Sequence, residues 1–414
     1  MFRLKIKKQI SIELYLILFF IFADFIQAIV IINSGFLIGD FFPLEVRENT
    51  EKIIFLFSLQ SLLYFLTYKF YLSLIKNRKF LSFYIKIDSN LYVFIDYLIF
   101  SLLLLNILFF LFVISNKAGS YNSSNISFIL NIISIDAIFP IYYFLNRTNG
   151  NRFIYILNTL IYVILTLGKG WTGIIFMIFI FELYFRFKQK VHLKYLLAIP
   201  MLIIIGSFLY QLIYPLKIYI RYGTEIEPIS FLESTGLLIG RLSMISNLVA
   251  IFQYKSEILS LIDSLYPINF EILKFIRVQV PSFIAKEFFP YEIFEYGTIG
   301  SILFLFKIGI SYPIEGVATG FGSPLLGTLY LLFLRNPIEA LLFLLFSLFV
   351  IFCIKFLLDL FKCNHIYFPF FFNLIYFIRE GGEIVLAFGK IFFSLTVFVI
   401  IIILFKEIIN GLKR

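Results

Sequence analysis

The chain has 414 residues, 61% of them hydrophobic and 14% charged, with a mean hydropathy of +0.97. This excludes a soluble domain and asks for many apolar spans of about 20 residues. The formal net charge of +10 is a topology signal rather than a nucleic-acid footprint, because of where the basic residues fall.

Ten membrane helices are predicted, over residues 10–32, 53–75, 91–114, 125–145, 153–167, 171–185, 195–214, 338–360, 365–379 and 383–405. The expected fold is therefore an all-α polytopic membrane protein of about ten spans, within a range of nine to twelve. The first segment is too long for a signal peptide and reads as a retained helix. The fifth, sixth and ninth are short and need tilt, local thinning or burial among neighbours.

With the N-terminus inside, 19 of the 35 basic residues fall on cytoplasmic segments, against five on the short outer loops. The positive-inside rule then puts both termini in the cytoplasm and residues 215–323 outside. The expected location is a bacterial inner (cytoplasmic) membrane. Three parts follow: a membrane bundle over 1–214, a large periplasmic loop over 215–323, and a broken or re-entrant helix with the last membrane helices over 324–414. The large loop is slightly acidic, with ten carboxylates against eight Lys plus Arg. Cys353 and Cys363 lie near the cytoplasmic end of the eighth span, so no disulfide can staple that loop. Its apolar stretches, 237–252 and 299–310, are expected to form interfacial or partly inserted helices.

Taken as one helix from Gly236 to Tyr254, the first stretch gathers Leu238, Leu242, Ile245, Val249 and Phe252 on one side, with Leu237 and Leu248. Gly240, Ser243 and Asn247 lie opposite, and Arg241 projects from within the apolar arc. Such an arginine either snorkels to headgroups or faces a lipid-linked anion. Where the loop returns, Ser323 and Pro324 are expected to cap a helix over 325–334, whose N-terminus offers free N–H groups to a phosphate. Arg335-Asn336-Pro337 then interrupts it after about half a bilayer. Lys169 caps the turn after the fifth span and Arg379 the turn after the ninth, each as a helix-end anchor or as a ligand. Four segments thus offer cations to one leaflet, as a pyrophosphate-bearing lipid needs.

Several chemistries are excluded or marked down. Both histidines, His192 and His365, fall on cytoplasmic loops, so the outer face has no His base or His metal site. Asp-x-Asp is absent, Glu225-x-Glu227 is a poor substitute, and there is no P-loop. No metal and no cofactor are expected.

The layout of ten or so spans with a large outer loop late in the chain resembles the O-antigen polymerases (Wzy-type oligosaccharide repeat-unit polymerases). Leu167-Gly-Lys-Gly-Trp-Thr-Gly, Gly240-Arg-Leu-Ser, Thr319-Gly-Phe-Gly-Ser-Pro-Leu-Leu-Gly-Thr-Leu-Tyr and Arg379-Glu-Gly-Gly resemble short patterns that recur there in the same order. The resemblance implies a GT-C-like glycosyltransferase fold and a metal-independent transfer in the periplasm. A glycan leaves undecaprenyl pyrophosphate for a hydroxyl of the incoming lipid-linked repeat unit. The implied partners are these lipid-linked oligosaccharides, membrane lipids and a chain-length regulator protein, with no nucleic acid. Arg241 and Arg379, then Arg277, Lys169 and Arg221, would hold the pyrophosphate, and Glu233 or Glu295 would serve as base. The arginine-then-glycine-eleven-later motif of some polymerase loops is absent after Arg221, Arg241 and Arg277. The alternatives are a polysaccharide flippase, an O-antigen ligase, which fits worse without a loop histidine, and a metal-dependent transferase with a lipid-phosphate sugar donor. The last would use Asp40, Glu45 and Glu48 in the first outer loop.

Overall fold

The structure, a computed structural model, describes residues 9–76, 84–85, 87–112, 134–148, 150–169, 173–187, 190–223, 225–280, 287–288, 299–309, 322–361, 363–379 and 388–412. Among them, six helices are long and apolar enough to cross a membrane, or seven if one sharply bent pair counts as a span. An all-α polytopic membrane protein follows. The long helices are α1 (Ile12–Ser34), α2 (Thr50–Lys76), α3 (Ser89–Phe112), α7 (Ile199–Tyr222), α14 (Pro337–Asp359) and α16 (Lys390–Leu412). Between them come α4 (Ile135–Asn146), α5 (Arg152–Gly168), α6 (Gly173–Arg186), α8 (Phe231–Leu242), α9 (Ile245–Gln253), α10 (Lys255–Leu265), α11 (Phe270–Val278), α12 (Ile299–Ile308), α13 (Leu325–Arg335) and α15 (Tyr367–Arg379). Much of the fourth expected span, and the start of the tenth, lie outside the described residues.

The seventh span, expected to end at Tyr214, runs through Pro215 to Tyr222. A proline inside a helix removes one hydrogen bond, and the helix continues past it although the apolar stretch ends at Leu216, before Lys217 and Arg221. The actual stop is Gly223, at φ +68°, whose N–H caps the Tyr219 carbonyl.

The chain divides into two compact units. The first comprises residues 1–70 and 166–255, the second 71–165 and 256–414. In the first, β1 (Gln9–Ser11) pairs antiparallel with β2 (Lys190–His192), and α8 packs against α7 and α1. In the second, α3, α4 and α16 pack together, as do α13 and α14.

Candidate functional site

In the first unit the stretch expected to be one helix from 236 to 254 is two, α8 and α9, bent by 71° at Ser243 and Met244. No proline marks the break; a partner does. Ser243 is extended (φ −127°, ψ 145°), its hydroxyl donates to Gln27 Oε1 on α1 at 2.7 Å, and the Ser246 N–H donates to the same oxygen at 2.9 Å. The bond a straight helix would have made is replaced by a buried side-chain amide. Gly240 packs against the turn at Gly39–Phe41 so closely that a Cβ on it would lie 2.7 Å from the Gly39 Cα. Gly240, Ser243 and Asn247, placed opposite the apolar arc in the one-helix reading, are buried.

That turn carries Asp40. Its carboxylate takes Arg241 Nη1 at 3.4 Å and Asn247 Nδ2 at 3.4 Å, with the Asp40 side chain 8% exposed and that of Arg241 56%. Arg241 therefore stands largely in the open at the end of α8, its charge answered by a carboxylate. Glu233, in the first turn of α8 and outside the six long spans, closes a capping box: it accepts from the Ser230 N–H and hydroxyl, both at 2.8 Å. Those bonds hold its carboxyl below the usual carboxylate range, which makes it a weaker base. Lys169 is buried at the end of α5. Arg221 is in the last turn of α7, with its side chain outside the described residues. Glu295 also lies outside them.

In the second unit Arg277 on α11 and Arg379 at the end of α15 are both buried, 9% and 7% exposed. Their sequence neighbours meet one segment. The Gln279 side-chain amide donates to the Gly389 carbonyl at 3.2 Å, and the Phe275 ring lies 6.1 Å from Phe392. The Phe377 ring, two residues before Arg379, lies 5.2 Å from Phe388. The start of α16 is thus common ground for α11 and α15, the helices that carry Arg277 and Arg379.

The helix break at 335–337 is observed as expected, with α13 ending at Arg335 and α14 starting at Pro337. The expected cap differs. Pro324, not Ser323, takes the N-cap position of α13 without a side-chain cap bond, and the Ser323 hydroxyl pairs with Thr328 Oγ1 at 2.8 Å. The Ser323 hydroxyl is thus engaged on the helix flank and makes no cap bond. At the break Arg335 reaches Asp263 Oδ1 at 2.9 Å, the Tyr266 carbonyl at 2.5 Å, the Pro267 carbonyl at 3.2 Å and Glu339 Oε1 at 3.4 Å. Glu339 also accepts from the Asn269 N–H at 2.6 Å. This arginine is a clasp on the α10–α11 turn, with most of its donors spent.

Three groups that matter here have no place in the sequence reading, Gln27, Glu339 and Asp96, and Asp40 enters it only as a carboxylate of the alternative metal-dependent transferase. Gln27 and Asp96 carried a usable signal, since a polar residue inside an apolar span normally has a partner or a task. No family model, no curated protein and no solved structure matches this chain.

Proposed function

We propose that the chain polymerises undecaprenyl-pyrophosphate-linked oligosaccharide repeat units at the outer face of a bacterial cytoplasmic membrane, by metal-independent glycosyl transfer. The observation that carries this reading is that two arginines, Arg277 and Arg379, are buried on separate helices that both meet the start of α16. A guanidinium kept out of water favours a multiply charged oxygen anion, which it can grip through two parallel N–H bonds. A departing pyrophosphate is such an anion, and stabilising it is the main task of a transfer whose energy is already stored in the sugar–pyrophosphate bond. Arg241, mostly exposed at the end of α8 and paired with Asp40, stays a further candidate. Lys169 and Arg221 stay as secondary candidates. With Glu233 engaged as a cap, Glu295 is the carboxylate to test as base, unless the acceptor hydroxyl loses its proton late. The two lipid-linked substrates and the surrounding lipids are the partners of this reading, and a chain-length regulator is the protein partner.

The primary test is the lipopolysaccharide ladder of a deletion strain. A single-repeat cap is the expected result; complete loss of O-antigen would point to the flippase instead. In the restored strain Arg277→Lys and Arg379→Lys should shorten the polymer nearly as much as Ala does, because ammonium cannot reproduce the bidentate grip. The purified protein should keep forming polymer in excess EDTA, and a loss restored by Mg²⁺ would favour the transferase with a lipid-phosphate donor. An outside-only reporter should be active after Asp263 and silent after Lys190.

A further inference from the structure

Asp96 sits on α3 seven residues after its start, about 10 Å along a helix apolar enough to cross a membrane. Its side chain is fully buried. Its carboxylate accepts from the Tyr142 hydroxyl at 2.8 Å, from Asn146 Nδ2 at 2.9 Å and from the Asn151 N–H at 2.7 Å. Its backbone carbonyl accepts from Asn158 Nδ2 at 3.0 Å. All these donors are neutral, and among the described residues no Lys or Arg pairs with this carboxylate.

The donors of the knot are used up. Asn146 Nδ2 serves both Asp96 and the Tyr92 carbonyl, while Asn158 Nδ2 serves both the Asp96 carbonyl and the Tyr142 oxygen at 2.9 Å. Two acceptors are left over: Asn146 Oδ1 and Asn158 Oδ1, on residues with no exposed surface, meet no donor. Buried polar atoms are rarely left so. Turning the Asn146 amide over would set its oxygen against Asp96 Oδ1 and the Tyr92 carbonyl, an arrangement that needs a proton or a cation among them. A water molecule could answer the amide oxygens but would leave the carboxylate's charge unneutralised inside an apolar helix.

We propose that Asp96, Tyr142, Asn146 and Asn158 form a site for one hard monovalent cation, Na⁺ or K⁺, that ties α3, α4 and α5 together. Oxygen-only ligands select a hard ion, and the single carboxylate matches a single positive charge, whereas divalent ions normally gather more carboxylates. Gly150 allows the approach, since a Cβ there would lie 2.8 Å from Asp96 Oδ2. The proposal does not depend on the glycosyl-transfer reading.

Thermal unfolding of the full chain in detergent tests it, in NaCl, KCl and choline chloride at matched ionic strength. The expected result is a saturable rise in Tm with Na⁺ or K⁺ over choline, and the salt that half-saturates at the lower concentration names the ion. Asp96→Asn should abolish the difference, and Asn158→Leu, which keeps the carboxylate, should raise the half-saturating concentration about tenfold. Radiolabelled Na⁺ or Rb⁺ should bind the unaltered protein at one ion per chain, a measurement that needs no variant to fold. Equal melting in all three salts together with no bound tracer would overturn the proposal and leave buried water as the partner of both amides.

Discussion

The joint between α8 and α9, in the first unit, and the joint between α13 and α14, in the second, are both breaks of one or two residues in apolar chain, made by opposite means. At Asn336-Pro337 the backbone itself stops the helix: proline has no N–H for the preceding turn, and the Asn336 side chain caps the new helix at the Ile338 N–H, 3.0 Å. Arg335 then secures the break by charge. At Ser243-Met244 nothing local forbids helix. The bend exists because Gln27, 216 residues earlier, offers an oxygen that two donors share. A joint of the first kind survives changes in its surroundings; one of the second kind is only as firm as its packing.

The largest expected effect falls on the charged joint. Arg335→Ala would leave Glu339, 2% exposed, without its cation and should cost about 3–5 kcal/mol in thermal or denaturant unfolding. A cost below about 1 kcal/mol would show that the clasp is a surface pair. The uncharged joint should answer next. Gln27→Leu strands the Ser243 hydroxyl and the Ser246 N–H, for about 1–3 kcal/mol. Gly240→Ala forces apart two backbones in contact, at a similar cost of about 1–3 kcal/mol. If Gln27→Leu melts like the unaltered protein, the bend is intrinsic to residues 243–244 and the contrast between the joints fails. Removing the cap by Asn336→Ala should cost about 1 kcal/mol, because Pro337 still enforces the break. Least of all, Arg241→Ala should change stability by no more than about 0.5 kcal/mol, its guanidinium being mostly exposed.

Glu233 adds a pH dependence to the α8 end of this comparison. Its folded carboxyl titrates below its unfolded value, so its contribution is present above the unfolded value and is lost as the pH falls through the folded one. Melting curves from neutral pH to about pH 3–4 should therefore converge for the unaltered protein and Glu233→Gln. A gap that stays constant would mean the box does not depend on ionisation.

Ser230-Phe231-Leu232-Glu233 is a capping-box pattern, and its local meaning could be read from spacing alone. So could the break at 335–337, because Asn-Pro acts through the backbone of its own residues. Arg379 and Lys169 were legible as helix-end cations, since a turn between two apolar runs leaves little else to hold them. The burial of Arg277 was not, nor the pairing of Arg241 with Asp40. Pairings across tens to hundreds of residues depend on which helix faces which, and an all-apolar helix carries little amphipathic pattern to set its rotation.

By itself the sequence determined the solvent. Apolar runs of about 20 residues leave the backbone no partner but its own helix. It also determined those caps and breaks whose chemistry is local. Only the tertiary structure decided which polar residues face inward: Gln27 against Ser243 and Ser246, Asp40 against Arg241, and Asp96 against Tyr142 and two asparagines. In a chain this apolar the hydrophobic pattern does not distinguish one helix face from another, so the few buried polar groups, each of which must find a partner, set the arrangement.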